Sequence, residues 1–519
     1  MSKDTNRVRW TIAGTFAGLL MGAVAAQGVS HYPGEDEPHE GTWLQWPHRF
    51  TYGQLYQQRL DPTWVAMTQA LVPGENVHII AYNQAEVARI QGLLNQAGVP
   101  LGKVDFVIQP TDDCWVRDNG PIFVRGADGQ LKATDWGFNG WGLDAPYTLD
   151  DPIPTQVAGS LGMPAVDLSS VVLEGGAIEV DGYGTLLATR SSILEPARNP
   201  GLSQAYVESV MTQHLGVTNF IWLDGMFGGW EDITDTHIDG LARFSGQTIV
   251  TMERDDLIYY GLSNADVDTL YAARNVDGVP FSFVMLPLTQ NDVVTTYGLN
   301  LQFKGSYVNY YAGNTAVLVP TYADPNDTVA LGILQQVYPN RTVVGIDVRN
   351  LYRNGGMVHC VTQQQPVAIA APSFCDGADG SLASCPCANP GDPDSGCNLQ
   401  QGTGGVQLDV VAQETGASNG ATMTGAGFPA TSSPASIVIR ASTLEAAPVP
   451  FGDGLRCIGT PLVRLAATFA SSGSSTHTFG HGTMAGTGDF HYQLWFRNTP
   501  AMFCTPGAFN LSNGRRLTW

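Results

Sequence analysis

A change of text near residue 370 constrains the fold more than any other feature. Before it, short apolar runs alternate with amphipathic stretches. Val77 to Ala81, Val104 to Ile108, Leu131 to Trp136, Thr185 to Ala188 and Ala316 to Pro320 read as short buried strands. Gln84 to Ala97 places Val87, Ile90, Leu94 and Ala97 at helical spacing, and Gly201 to Leu215 and Asp324 to Val337 read as further helices. Strands alternating with helices make this part α/β. No internal repeat is visible in the residues. After residue 370 the text turns to Gly, Ala, Ser and Thr, with short β-branched runs at Val406 to Val411, Ser436 to Ile439 and Tyr492 to Arg497. Turn signals recur at short intervals and no helix is evident, so an all-β, sandwich-like module is expected.

The chain start carries its own signal. Lys3, Arg7 and Arg9 precede an uncharged run, Trp10 to Ala26, that ends on the small residues Ala23-Val24-Ala25. This is the pattern of an export signal. It is too short and too rich in Gly and Thr for a permanent anchor, and no other run reaches the roughly 18 apolar residues of a membrane helix. No integral membrane domain is expected. Cysteine usage agrees with export. Cys114 and Cys360 are the only two before residue 370; Cys375, Cys385, Cys387, Cys397, Cys457 and Cys504 follow it. Six in an exported segment read as three disulfides, with the pairing left open. Cys385-Pro386-Cys387 is too tight for a zinc knuckle. The expected organisation is a signal over 1–26, an α/β domain over 31–369, a Cys/Gly/Pro-rich junction over 370–398 and a β-rich module over 399–519. The expected location is secreted, periplasmic or at the cell surface.

Charge narrows the partners. Asp and Glu number 47 against 25 Lys and Arg, a net −22, with only 14% of residues charged. Such a chain lacks the basic footprint of nucleic-acid binding. It either draws a cationic substrate by long-range attraction or uses the acidity for solubility alone.

Five segments of the α/β part put polar or reactive groups beside glycines at the ends of apolar runs. They are Asp113 to Pro121, Asp135 to Gly142, Leu173 to Gly176, Asp235 to Asp239 and Asn354 to Cys360. Glycine in such places allows a positive φ or close backbone approach to a ligand. A thiolate attacks an electrophilic carbon, and an imidazole shuttles the proton to the leaving group. On a strand, His237 and Asp239 would share one face. Asp118 and Asp239 could grip one planar guanidinium through charge-assisted hydrogen bonds, with Trp115 stacked on the cation. Other readings stand beside these. Cys114 fits inert core. His237, Asp239, His359 and Cys360 could ligate a hydrolytic metal, although no H-E-x-x-H spacing occurs. Gly416-Ala417-Ser418-Asn419-Gly420 matches a serine-hydrolase pattern but lacks a strand-to-helix context. No P-loop is found.

Together these residues resemble the agmatine deiminase family, which includes the Porphyromonas-type peptidylarginine deiminases. The matching text comprises Glu37-Pro38-His39-Glu40, Trp43, Trp46-Pro47, Trp115-Val116-Arg117-Asp118, Phe138 to Gly142, Leu173 to Gly176 and Asp181 to Leu187. It continues through His237-Ile238-Asp239 with Leu241 to Phe244, Ser306 to Asn309 and His359 to Pro366. It covers roughly Pro33 to Ile369. The resemblance implies a pentein fold, an α/β propeller of ββαβ units with the site at its centre. It implies Cys360 as nucleophile, His237 as general acid and base, and Glu174 as a further site carboxylate. It also implies Asp118 and Asp239 as guanidinium clamps, Trp115 as stacking wall and Asn309 as a site asparagine. No metal and no organic cofactor are implied. Thr236 stands where the family usually has Gly, and Asn354 and Met357 interrupt the glycine-rich loop before Cys360.

The resulting expectation is an exported cysteine hydrolase that deiminates a small cationic guanidino substrate. Agmatine, giving N-carbamoylputrescine and ammonia, comes first. A peptidylarginine deiminase acting on arginine-containing peptides is the alternative, and a catalytically inactive binding protein stands third. Homodimerisation is among the expectations. The choice of agmatine rests on the Asp135 to Asp151 stretch, which has no Arg or Lys and carries Asp135, Asp144, Asp150 and Asp151 as an expected acidic rim. Arg353, close before Cys360, is the one nearby cation that could receive a substrate carboxylate.

Overall fold

The computed structural model describes residues 30–126, 130–227 and 232–368. Beyond them it describes 373–375, 385, 391, 395–399, 403, 405–413, 420–429, 434–480, 489–497 and 509–518. The export signal, most of the junction, and the serine of the Gly416 to Gly420 pattern lie outside the described residues.

The first part is mixed α/β and is built from five small sheets with one shared connectivity. Ile122–Arg125 pairs antiparallel with Leu131–Gly137, which pairs parallel with Ala165–Val172 after the helix Ile153–Leu161. Ile178–Val180, Thr185–Thr189 and Asn219–Leu223 repeat this around the helix Gln204–Leu215. Arg243–Ser245, Thr248–Met252 and Ser282–Leu286 repeat it around Asn264–Tyr271. Tyr311–Ala312, Ala316–Thr321 and Thr342–Asp347 repeat it around Asp327–Val337. The fifth sheet joins the two ends of the domain. Gln363–Pro366 pairs antiparallel with His39–Gln45, which continues parallel into Asn76–Ala81 and Val104–Ile108. The repeat is thus one of topology: each unit keeps the apolar pattern that a ββαβ crossover needs while sharing almost no residues.

The local reasons are ordinary ones. Val77, Ile79, Ile80 and Ala81 are buried, as expected of a parallel strand covered on both faces. The helix Gln84–Gln96 begins where the Asn83 side chain accepts from the Glu86 N–H, and it buries Val87, Ile90 and Leu94 against the core. Truncating Leu94 to Ala would cost about 3 kcal/mol through lost contacts and a cavity. The helix Gln204–Leu215 is capped the same way by Ser203, so it starts three residues later than the apolar pattern alone suggests.

The connectivity matters for function because of what precedes each unit. A short helical turn leads into the first strand of four of them: Val116–Asn119, Gly175–Ala177, Ile238–Gly240 and His359–Val361. These turns pack against one another.

Every described element after residue 372 is a strand. A five-stranded sheet, a three-stranded sheet and a hairpin are present. Leu408, Met423, Val438, Tyr492, Leu494 and Phe496 from both larger sheets form one core cluster. Two disulfides are described, Cys375–Cys457 and Cys385–Cys397. The remaining two cysteines of the expected three bridges, Cys387 and Cys504, lie outside the described residues.

Candidate active site

Asp118, Glu174, Asp239, Asn309 and Cys360 come from five different turns, each two to four residues before the first strand of its unit. His237 sits two residues before Asp239. The sequence reading placed His237 and Asp239 on one strand; the structure corrects this. His237 has extended backbone and precedes the helical turn Ile238–Gly240. The two side chains nevertheless converge, because neighbouring turns bring their partners to them.

Gly176 is the hub of the convergence. A methyl group on its Cα would lie 2.6 Å from His237 Nδ1, 2.7 Å from Asp118 Oδ1 and 3.1 Å from Asp239 Oδ2. Only a residue without a side chain allows these three groups to meet there. The Gly176 N–H donates to Asp118 Oδ1 at 3.1 Å, and the Trp141 indole N–H donates to Asp118 Oδ2 at 3.0 Å. His237 Nδ1 is 3.7 Å from Asp118 Oδ1, and its Nε2 is 2.9 Å from Glu174 Oε2. Glu174 is completely buried and accepts from Arg198 Nε at 2.8 and 3.0 Å. Arg198 in turn donates to Asp235 Oδ2 at 2.5 Å.

On the other side, the half-buried Cys360 directs its thiol to Asn309 Oδ1 at 3.5 Å and Asp239 Oδ2 at 3.8 Å. Asn309 Oδ1 also accepts the backbone N–H of His359 at 2.9 Å, which fixes the amide; its buried Nδ2 has no protein partner among the described residues. Asp239 Oδ2 accepts from His359 Nδ1 at 2.8 Å. Trp115 is buried at the flank, its ring so close to Gly356 that a methyl there would lie 2.1 Å from it. It meets Trp141 edge to face at a centroid distance of 6.5 Å.

Crowding carboxylates around one imidazole in a dry pocket sets the protonation states. Burial works against charge on His237, but Asp118, Glu174 and Asp239 overcome it and raise the imidazole to about 9. Burial raises Asp118 to about 6; His237 counters this, while Asp239 and Glu174 add to it. Burial also raises Asp239, yet the bond and field of His359 bring it below its ordinary value. The Cys360 thiol is pushed far up by burial and then by the anions Asp239 and Asp118. At neutral pH, therefore, the centre combines a thiol, an imidazolium and two carboxylates. Such a site is short of one cation. Among the described residues no group of three or more His, Cys, Asp or Glu side chains is arranged to hold a metal.

Several expectations about the surroundings are corrected. Asp135, Asp150 and Asp151 do not form an acidic rim. Asp150 is buried and accepts from the N–H groups of Asp112 and Asp113 and from Gln45. Asp151 accepts from the Phe138 N–H, and Asp135 from Thr155. Asp144 alone is exposed. Arg353 is engaged by aromatic groups, donating to the Tyr297 hydroxyl at 2.9 Å and lying over the Tyr56 ring. Cys114 is fully buried, 3.3 Å from the Tyr52 hydroxyl. The sequence reading also missed two partners of the site, Glu35 and Arg198, and gave no bonding role to Trp141, Asp235 or His359, which lie in the segments it singled out. Glu35 lies just before the Glu37-Pro38-His39-Glu40 text and Asp235 just before His237, but nothing in their spacing signals an ionic bond across the fold. Asp235 and Thr236 do carry a mark in the structure, φ of +54° and +72°, so Thr236 occupies a conformation that suits the glycine usual at this place.

Fold and site together define a mixed α/β protein with a buried thiol, imidazole and carboxylate centre. The chain belongs to the Porphyromonas-type peptidyl-arginine deiminase family, whose sequence profile matches residues 31–366. It is 34% identical over 358 residues to an agmatine deiminase of Pseudomonas aeruginosa, covering 64% of this chain and 95% of that relative. With an agmatine deiminase of Pseudomonas putida it is 32% identical over 363 residues, covering 65% and 96%. The solved agmatine deiminase of Enterococcus faecalis superposes with a TM-score of 0.57 at 26% identity, covering 66% of this chain and 96% of that one. The chain is an enzyme, a hydrolase acting on amidines.

Proposed function

We propose that the chain deiminates agmatine through a covalent intermediate on Cys360. The observation that carries this is the convergence of Cys360, His237, Glu174, Asp118 and Asp239 around Gly176. A guanidinium between Asp118 and Asp239 supplies the missing cation and lowers the cost of ionising the thiol, whose proton leaves to solvent. The thiolate then attacks the guanidino carbon, stacked against Trp115. His237, already protonated and held by Glu174, gives its proton to one nitrogen, and ammonia leaves. Neutral His237 next takes a proton from water, hydroxide adds to the amidino-thioether carbon, and the C–S bond breaks as the adduct's hydroxyl proton passes to the departing sulfur, which releases the neutral ureido group and restores the thiol. Asn309 completes the site by accepting from the Cys360 thiol through Oδ1, which holds the sulfur in place.

The agmatine deiminase relatives and the absence of Arg or Lys from 135 to 151 support agmatine over an arginine carboxylate. The family profile keeps peptidylarginine as the second reading. We propose further that the five units form a pentein-type propeller, which their shared connectivity supports. An exported, oxidising location is supported by two described disulfides. The deciding experiment measures ureido product and ammonia from agmatine, arginine and a C-terminal-arginine peptide side by side. Agmatine is expected to lead by at least about tenfold in kcat/KM. A faster peptide would reverse the order, and no product from any of the three would end the deiminase reading.

A further inference from the structure

His359 stands one residue before Cys360 and is buried. Its Nδ1 bonds Asp239 Oδ2 at 2.8 Å, and its Nε2 bonds Glu35 Oε2 at 2.7 Å. Glu35 is held in turn. Its Oε2 accepts from Arg117 Nη2 at 3.2 Å, and its Oε1 accepts from Arg243 Nη2 at 2.8 Å and from the Ala312 N–H at 2.9 Å. Three donors besides the ring leave Glu35 no freedom to turn, so the imidazole it faces has one orientation. The backbone is pinned as well, through the His359 N–H to Asn309.

Asp239 depends on this arrangement. It is buried beside the like charge of Asp118, and its Oδ2 has one nitrogen donor among the described bonds, the His359 ring. A buried carboxylate that loses its donor takes up a proton or swings to another partner. His237, already raised by the charge of Asp239, is at hand for the second. Either change would blunt one jaw of the guanidinium clamp. The neighbouring residue meanwhile carries the nucleophile, its sulfur 3.8 Å from the same Asp239 oxygen. One dipeptide therefore sets both the attacking atom and the anion that faces it.

We infer that His359 is a positioning residue: through Nδ1 it fixes the Asp239 carboxylate to receive a guanidinium against the Cys360 sulfur, while Glu35 fixes the ring. The inference rests on the deiminase reading above, and it separates from it experimentally. Asn in place of His359 keeps a donor near the Nδ1 position, whereas Gln keeps one near Nε2. The probe is inactivation of the full chain by 2-chloroacetamidine relative to neutral 2-chloroacetamide. Both alkylate the thiolate with loss of chloride, but only the amidinium needs the clamp.

The parent chain is expected to prefer the amidine. His359→Gln should lower that preference, and agmatine kcat/KM with it, by at least about tenfold, the scale of one hydrogen bond to a buried charge. His359→Asn should retain both within about threefold. A merely structural role would make the two variants fail alike. Gln retaining the preference, or a folded Asn variant losing it as Gln is expected to, overturns the inference. Each variant decides by itself, so loss of folding in one leaves the other as the test. A parent without amidine preference and without ureido product would instead overturn the deiminase reading beneath it.

Discussion

The two parts of the chain bury polar groups of different kinds. Up to residue 366 many of them are ions: Glu35 with Arg117 and Arg243, Glu174 with Arg198 and His237, and Asp118 and Asp239 between imidazoles. From residue 373 onward amides and hydroxyls outnumber the described buried ionisable side chains, Arg440, Asp453, His477, His491 and Arg515. Gln493 accepts from the Cys457 N–H at 2.9 Å and donates to the carbonyls of Leu455 and Ser512, and Ser512 accepts from the Leu494 N–H. Buried ions are a costly way to hold a fold, because desolvation offsets most of their attraction. Neutral amides that satisfy strand backbone carry no such charge and serve stability alone. The contrast is one of arrangement: in the α/β part buried ions bond one another in chains that reach His237 and Asp239, where the proposed cationic substrate would be met. The predictions below test whether that division is real.

Cys360→Ala should break it most visibly. It removes the nucleophile, and ureido product from agmatine should fall by at least about a thousandfold. The side chain is small and half-buried, so the melting free energy should move by about 1 kcal/mol or less. Cys114→Ala should leave turnover within about twofold, since that thiol sits among Tyr52 and Asp113 with no imidazole against it. Persistent turnover in the Cys360 variant would remove the proposed mechanism altogether.

Gly176→Ala comes next. The added methyl must displace His237, Asp118 or Asp239, and a displacement of about 1 Å costs on the order of a hundredfold in kcat/KM. Gly454→Ala meets a still closer neighbour, Asn510 Oδ1 at 2.1 Å, but in the hairpin of the C-terminal module. It should lower melting and spare turnover. If the two variants exchanged phenotypes, the division drawn above would be wrong.

The third effect is one of pH. The clamp needs Asp118 ionised, so kcat/KM should rise through about pH 6. The thiol must also ionise and lies above His237, so kcat/KM should go on rising until His237 loses its proton near pH 9 and then level off, the gain in thiolate offsetting the loss of imidazolium. Stability follows the same groups. His237 is raised in the fold, so its contribution is complete below pH 6.5 and is lost as pH rises through about 9, a change of about 3 kcal/mol. Ionising Asp118, also raised, removes stability as pH climbs from 3.8 through about 6. Melting of the α/β part should therefore fall with rising pH over both windows, and His237→Gln should shrink the alkaline one, leaving the share of His78, which Asp105 and Glu40 also raise, against burial, to about 9.

Much of the site was legible before the structure, for a physical reason. A turn that brings reactive groups to a common centre needs glycine beside them and an apolar strand after them, and that signature survives in the text around Asp118, Glu174, Asp239 and Cys360. The partners that hold those groups left no such trace. Arg198 and Glu35 are ordinary charged residues in sequence, and only the packing of the turns makes them buried ions. His359 read as a metal ligand because two histidine nitrogens between two carboxylates look the same in one dimension. The unit repeat was reached through the family resemblance and not through the residues, because connectivity is preserved by pattern, and pattern tolerates nearly any residue. Asp150 misled in the opposite sense, an acidic residue spent on capping the backbone of Asp112 and Asp113.

The smallest expected effect on turnover sharpens the comparison from the other side. Replacing Cys375 and Cys457 together by Ser removes a bridge that spans 82 residues of sequence. Closing so long a loop restrains the unfolded chain, so its loss should cost the C-terminal sheets about 2–4 kcal/mol. The bridge lies against the Gln493 network, and Gln493 donates to Cys375 Sγ at 3.5 Å. Loosening it should therefore lower the melting of that region in particular, seen as earlier exchange of the Leu455 and Leu494 amides. Agmatine kcat/KM should stay within about twofold, because no group named in the reaction comes from beyond Cys360. A proportionate loss of turnover would mean that the neutral sheets hold the charged turns in place, and the two kinds of buried polar network would then be one.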